Sequence, residues 1–225
     1  MVTFCDEDKT CSCCGKSSSQ KEIMSYTTFG QPDLDLRPPP MKRDTMFAWI
    51  EYCSHCGYCS HNINDEKGVS RKEIIQSSDY QAQLSSNDYP SLANQFLCYS
   101  ILLEHEKNLV EAAWQALRAA WNCDDAHNEQ GAVRSRLRAA KLIDDSRSAN
   151  VEFSKQLGLD RCIEADALRR AGELQRAKEL LQHMQGEEEE IIKTLYQFQL
   201  HLIESNDTRC YTITDAQKYH DANKQ

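Results

Sequence analysis

The chain has 225 residues, of which 40% are hydrophobic and 27% are charged, and these values are ordinary for a globular protein of one or two domains. Its net charge of −9 argues against a nucleic-acid-binding protein, because such proteins neutralise phosphates with clustered Lys and Arg. No apolar run approaches the roughly 18 residues of a membrane span, and residues 1–10 lack the order of a signal peptide. We therefore expect a cytoplasmic protein without membrane association.

Residues 1–62 are predicted to form a zinc-ribbon-like β domain. Segments 22–29 and 45–52 are rich in Ile, Tyr, Thr, Phe and Trp, which favour strands. Between these segments, Pro38, Pro39 and Pro40 cannot donate hydrogen bonds to a sheet. This stretch is therefore predicted to be an extended loop.

Residues 63–89 are polar and are predicted to be a linker with one short helix. Ser70-Arg71-Lys72-Glu73 has the form of a capping box, in which the Ser and Glu side chains satisfy free backbone donors at a helix start. The apolar spacing changes at Pro90, where a helical period begins. We expect residues 90–205 to form a helical domain, and the polar residues 206–225 to be a loosely ordered tail.

Within the helical domain, apolar residues recur at three- and four-residue intervals. The first helix follows Pro90, and the last carries an apolar stripe that includes Ile191 and Leu202. Between them the pattern predicts helices over residues 109–121, 126–147, 160–171 and 174–184.

The paired cysteines are the strongest chemical signal. Cys11-x-x-Cys14-Gly15 and Cys53-x-x-Cys56-Gly57 are two copies of one motif, separated by strand-like sequence. Two thiolates three residues apart can reach one ion at about 2.3 Å if a tight turn joins them, and two such turns supply a tetrahedral site that suits structural zinc. Such a site is worth about 10–16 kcal/mol in small zinc fingers. Other residues that can replace one of these ligands lie close by in the sequence: Cys13, Cys59, His55 and His61.

A second candidate site is Asp33-Leu34-Asp35-Leu36-Arg37. In an extended segment the two aspartates project to the same side, where they can bind a second metal or act as an acid–base pair beside Arg37. Alternatively, short acidic side chains accept hydrogen bonds from loop backbone groups. The sequence alone leaves both interpretations open.

The stretch Gly172-Glu173-Leu174-Gln175-Arg176-Ala177 has the loop-to-helix pattern of a tetratricopeptide repeat. Such repeats stack into concave surfaces that bind other proteins. Arg169, Arg170 and Arg176 lie near this pattern, and guanidinium groups pair with carboxylates in two-point geometry. These three arginines are therefore candidate contacts for an acidic segment of a partner.

Four motifs in order give the chain a family resemblance. Besides the two cysteine motifs, they are Pro32-Asp33-Leu34-Asp35-Leu36-Arg37-Pro38 and Ala119-Ala120-Trp121-Asn122-Cys123-Asp124-Asp125. Over residues 11–205 the chain resembles a large uncharacterised family, mainly bacterial, with a split zinc ribbon followed by tetratricopeptide-like helices. The resemblance implies metal binding and this fold, and no activity. Ser12 and Ser54 stand where such cysteine turns often have proline.

The sequence therefore predicts an α+β protein with an N-terminal zinc-ribbon-like β domain and an α-helical tetratricopeptide-like array. The predicted function is a non-catalytic zinc-binding scaffold whose partner is another protein. One alternative is a rubredoxin-like iron redox protein, since four thiolates also suit iron. Another is an enzyme that uses Asp33, Asp35 and Arg37 beside the metal.

Overall fold

The computed structural model describes residues 2–183 and 186–224. Met1, Met184 at the end of a predicted helix, and Gln225 at the end of the predicted tail lie outside the described residues. The fold is α+β, as the sequence predicts: two small antiparallel sheets near the N-terminus precede a series of helices. Strand β1 (Val2–Thr10) pairs with β2 (Ser17–Tyr26), and β3 (Glu51–Tyr52) pairs with β4 (Cys59–Ser60).

The strands differ in extent from the sequence prediction. Strand β1 was not expected, because its charged residues hide any apolar alternation. Of the predicted strand 45–52, only the last two residues belong to β3, and residues 45–48 instead belong to a 3₁₀ helix, Arg43–Ala48. The indole N–H of Trp49 donates to the Thr45 hydroxyl at 2.8 Å, a four-residue spacing that suits a helical turn.

Side chains join the two hairpins. The Gln20 amide donates to the backbone carbonyl of Tyr52 and accepts from its N–H, both at 3.1 Å, so this buried side chain replaces a strand-to-strand pair. The Lys9 ammonium lies 2.7 Å from the Glu51 carboxylate. Strand β3 is thereby fixed against the first hairpin without continuing its sheet.

Residues 63–89 differ from the predicted linker, because they are packed into the protein. They form a short 3₁₀ helix, Glu66–Gly68, and helices α1 (Lys72–Ile75) and α2 (Ser78–Leu84). Ile75 and Tyr80 are buried, and so is Arg71, whose guanidinium binds Glu106 at 2.6 and 2.9 Å. The capping box predicted at Ser70 does not form, since its hydroxyl donates to the carbonyl of Lys67.

The remaining helices follow one another through short turns, and sequence neighbours pack together. Lys107 and His127 end two of these helices with left-handed φ angles of 61° and 54°. The next residue, Asn108 or Asn128, donates its N–H to a carbonyl five residues earlier and caps the following helix with its side chain. The helices are α3 (Ser91–His105), α4 (Leu109–Asp125), α5 (Glu129–Ser148), α6 (Leu159–Arg170), α7 (Leu174–Leu181) and α8 (Glu190–Glu204).

The C-terminal segment is ordered, which corrects the prediction of a loose tail. Helix α9 (Ile213–Ala222) begins with a capping box between Thr212 and Asp215. Before this helix, the backbone pairs with the Asp33 loop: the N–H of Leu34 donates to the Tyr211 carbonyl at 2.9 Å. The polar composition concealed this order, because the segment is held mainly by backbone hydrogen bonds and aromatic contacts with α8.

One hydrophobic cluster extends from Cys11 in the first hairpin to Ala216 in α9. Cysteine-rich and helical parts therefore share a core, and the polar residues 63–89 contribute Ile63, Ile75 and Tyr80 to it. Among the described helices, none is both long and apolar enough to cross a membrane.

Candidate metal centre

Two hairpin turns carry the cysteine motifs, and their backbone hydrogen bonds match. In the turn between β1 and β2, the Gly15 N–H donates to the Cys11 carbonyl at 2.7 Å. In the turn between β3 and β4, Gly57 donates to Cys53 at 2.9 Å. The glycines have φ angles of +73° and +79°, a region that a side chain would disfavour. The two motifs therefore form the same tight turn twice.

The structure brings together the four predicted ligands, Cys11, Cys14, Cys53 and Cys56, with all sulfurs within 4.8 Å of one another. The Sγ atoms of Cys11 and Cys56 are 3.7 Å apart, and those of Cys14 and Cys53 are 3.6 Å apart. A tetrahedron of thiolates at about 2.3 Å from a central zinc has edges of about 3.8 Å. In the described parts of the chain, no two cysteines form a disulfide. The cluster can therefore hold a metal ion.

The electrostatics of the cluster are uneven. Burial disfavours the Cys53 thiolate, but N–H groups of His55 and Cys56 and the Ser18 hydroxyl outweigh burial and lower the Cys53 pKa to about 6. Burial raises the Cys11 pKa to about 11. The Cys53 thiol is thus more readily deprotonated than the Cys11 thiol, and its Sγ lies 3.7 Å from the Ser18 oxygen.

The alternative ligands have other partners. Cys59 is buried, and its thiol donates to the Gly57 carbonyl at 3.4 Å. His55 contacts the Ser17 carbonyl, and His61 contacts the Tyr99 hydroxyl at 2.7 Å. Cys13 is half-buried and packs against the shared core, outside the four-sulfur group.

Ile63 and Gly68, which lie in the predicted linker, cover the first cysteine turn. The Ile63 carbonyl accepts from the N–H and the hydroxyl of Ser12 at 2.9 and 3.0 Å. Gly68 packs so closely on this turn that an added Cβ would lie 2.8 Å from the Cys13 nitrogen. The residues predicted to be a linker therefore form one wall of the metal centre, and no local motif in this polar stretch indicates that role.

The second candidate site, Asp33, Asp35 and Arg37, is buried and bonded to protein groups. Asp33 accepts from Arg43 at 2.8 Å, and burial raises the Asp33 pKa against the effect of this bond. Asp35 accepts from the Arg37 N–H at 3.2 Å and from the Trp121 indole at 2.7 Å. The arrangement matches the interpretation that these aspartates satisfy donors of the loop and its surroundings.

The arginine of this motif joins the loop to the helices. The Arg37 guanidinium lies 2.7 Å from both carboxylate oxygens of Asp125, at the end of α4. Beside it, Asp124 binds Arg136 and accepts from Arg170 at 2.7 Å. Opposite charges from the loop, α4, α5 and α6 thus meet in one network.

The structure corrects the prediction that Arg169 and Arg170 contact a partner. The Arg169 side chain has 0% exposure and binds Asp166 at 2.6 Å as well as the carbonyls of Asp207 and Arg209. The Arg170 side chain has 8% exposure and lies in the Asp124 network. Helical spacing turned both side chains inward toward acidic partners, which the local sequence pattern did not reveal. Arg176 alone of the three is on the surface, with a side chain 56% exposed.

No protein-family model, curated protein or solved structure matches the chain.

Proposed function

We propose that this protein is a non-catalytic scaffold, stabilised by one zinc ion, that binds another protein. The observation that carries the proposal is the convergence of four sulfurs from two matching turns within 4.8 Å. Four thiolates complete a tetrahedron and leave no position open for a substrate, as in structural zinc sites. The two hairpins that carry the turns support a zinc-ribbon-like assignment for this region.

The binding part of the proposal is supported by the helices. Ala112, Ala165 and Ala177 are fully buried, and such small residues let successive helices approach closely, as in tetratricopeptide-like arrays. Stacked helix pairs commonly present surfaces for protein recognition. An enzymatic role for Asp35 is less well supported, because this carboxylate has 0% exposure and its oxygens accept from protein donors.

Elemental analysis of protein produced without added metal tests the zinc centre. We expect one zinc per chain, loss of this zinc in Cys53→Ser, and retention in Cys59→Ser. The second variant is a matched control, since both cysteines are fully buried and adjoin the same turn. Retention by Cys53→Ser together with loss from Cys59→Ser would show that the ligand set is wrong.

Visible absorption distinguishes the rubredoxin-like alternative, because a tetrathiolate iron centre is coloured and zinc is colourless. Stoichiometric iron with such absorption would replace the scaffold by an electron carrier. The binding part is tested by affinity purification from the native cell, followed by reassembly of the complex from purified components. Failure to form any stoichiometric complex would contradict it.

A further inference from the structure

All three tryptophans of the chain line one surface groove of about 480 Å³. Trp114 and Trp121 are seven residues apart on α4 and therefore lie on the same helix face. Trp49 comes from the segment before β3, and Leu36 and Pro38 come from the Asp33 loop. Aromatic and proline surfaces from three separate parts of the chain thus meet at this groove.

Two of the indoles are fixed by the protein. The Trp121 N–H donates to Asp35 at 2.7 Å, and the Trp49 N–H donates to Thr45 at 2.8 Å. Leu36 has a φ of 62°, a strained value for a residue with a side chain. Asp35 and Arg37 are buried on either side of it, whereas Leu36 itself lines the groove. The buried acidic motif therefore shapes one wall of the groove.

The third indole is available to a ligand. Trp114 is partly exposed and stacks on Phe153 with ring centroids 5.1 Å apart. Its N–H has no hydrogen-bond acceptor within residues 2–183 and 186–224. The groove thus offers a flat aromatic face together with one unused donor.

The net charge of the residues that line the groove is opposite in sign to the net charge of the whole chain. Lys42 and Arg118 contribute two positive charges and Glu111 one negative charge, so its lining has a net charge of +1, whereas the chain carries −9. Arg118 is paired with Glu111 at 3.0 Å. Lys42 lies over the Tyr26 ring and has no salt-bridge partner in the described ranges. A ligand with a negative charge is favoured at Lys42.

We propose that this groove binds a proline-rich segment of a partner protein in the polyproline II conformation, with an acidic residue placed at Lys42. Proline rings pack on aromatic faces, and preformed polyproline II segments dock in aromatic-lined grooves. This conformation has no internal hydrogen bonds, so its carbonyls need donors such as the Trp114 N–H. The inference rests on the proposed function, because it specifies the partner of the scaffold.

The test is a titration of the full-length, metal-loaded protein with short synthetic peptides, followed by tryptophan fluorescence and by the indole N–H signals in ¹H–¹⁵N spectra. The probe is a proline-rich peptide with glutamates near one end. Its two controls carry lysines in place of the glutamates, or glycines in place of the prolines. We expect saturable binding of the acidic peptide, the largest shift at the Trp114 indole, weaker binding of the lysine peptide, and no binding of the glycine peptide.

Variants then locate the site. Trp114→Ala should weaken binding at least about 30-fold, the size expected of a buried aromatic contact. Trp114→Phe keeps a ring on Phe153 and removes only the donor, so it should weaken binding less. Lys42→Glu should reverse the preference between the acidic and basic peptides. Phe29→Ala is the matched control, because Phe29 is an aromatic residue that is 69% exposed and does not line the groove, and it should leave binding unchanged.

Several results would overturn the assignment. The assignment is wrong if the acidic peptide does not bind up to about 1 mM, or if the parent and Trp114→Ala bind it with equal affinity. It is also wrong if the groove binds tetramethylammonium instead of the peptide. Concentration-dependent self-association that Trp114→Ala abolishes would assign the groove to a second copy. In each case, one zinc per chain and a reassembled complex with another partner would leave the proposed function in place.

Discussion

Replacing Arg169 tests whether the arginines of α6 and α7 are structural or partner-binding. The Arg169 side chain has 0% exposure and Asp166, its carboxylate partner, has 2%. Arg169→Met approximately keeps the volume and removes the charge and all donors. Asp166 is then a buried carboxylate without its cation, and the carbonyls of Asp207 and Arg209 lose a shared donor.

The size of the effect follows from the burial. Removing one member of a buried ion pair costs about 3–5 kcal/mol of unfolding free energy, since the remaining charge is left uncompensated. For a chain of this length, 1 kcal/mol corresponds to about 2–4 °C in the unfolding midpoint. Arg169→Met should therefore lower the midpoint by about 6–20 °C. Arg176→Ala should change stability by less than about 0.5 kcal/mol, because its side chain is 56% exposed and Glu173 is 3.8 Å away.

The assays are thermal and guanidinium unfolding, both followed by circular dichroism, with metal content measured on the same samples. In the double variant Arg169→Met/Asp166→Asn, part of the lost stability should return, because the orphaned group is then neutral. A loss in Arg169→Met no larger than that in Arg176→Ala would refute the buried-pair reasoning. It would also restore Arg169 as a candidate for partner contact.

Three further outcomes are expected. The hydrogen bond from Arg71 lowers the Glu106 pKa. The contribution of this carboxylate to the free energy of unfolding is therefore present above the unfolded carboxyl pKa and is lost as the pH falls through the folded pKa. The stability difference between the parent and Glu106→Gln, measured from unfolding curves, should close in acid. Gly68→Ala should reduce zinc retention against a chelator, because its Cβ meets the backbone of the first cysteine turn, whereas the exposed neighbour variant Val69→Ala should not. Truncation after Asn206 should lower the unfolding midpoint and expose residues 32–36 to protease, since their backbone partners are removed; unchanged proteolysis would contradict this.

The sequence predicted the metal-ligand set better than the metal centre as a whole. The four candidate ligands were predictable because ligand chemistry requires a short cysteine repeat followed by glycine, and this motif is visible in the sequence. They are Cys11, Cys14, Cys53 and Cys56. Gly68 was not predictable, since its role depends on a close approach between segments more than fifty residues apart. Long-range contacts of this kind leave no local period or motif.

Helices were predicted well where an apolar period was present, and poorly where order comes from polar contacts. The final apolar stripe, which starts at Ile191, corresponds to α8. Helix α9 was not predicted, because a capping box and backbone pairing hold it in place and neither produces an apolar pattern in the sequence. The sequence also did not show whether a helical side chain points into the protein or toward solvent. Arg169 and Arg176 look alike in the sequence, yet one is enclosed by Asp166 and the C-terminal carbonyls while the other is on the surface.

The metal centre and the tryptophan groove are linked by a short stretch of chain. Trp49 stands four residues before Cys53, and strand β3 between them is held by the Gln20 side chain and by Lys9. A metal at Cys53 therefore fixes one end of a segment whose other end supplies a groove wall. The hairpins and the helices share one core. We expect metal removal to change the Trp49 indole signal, because Trp49 lies close to Cys53 along the chain. Trp114 and Trp121 should keep their relative positions, since both belong to α4. A metal ion held by the four cysteines would thus stabilise the groove without contacting it.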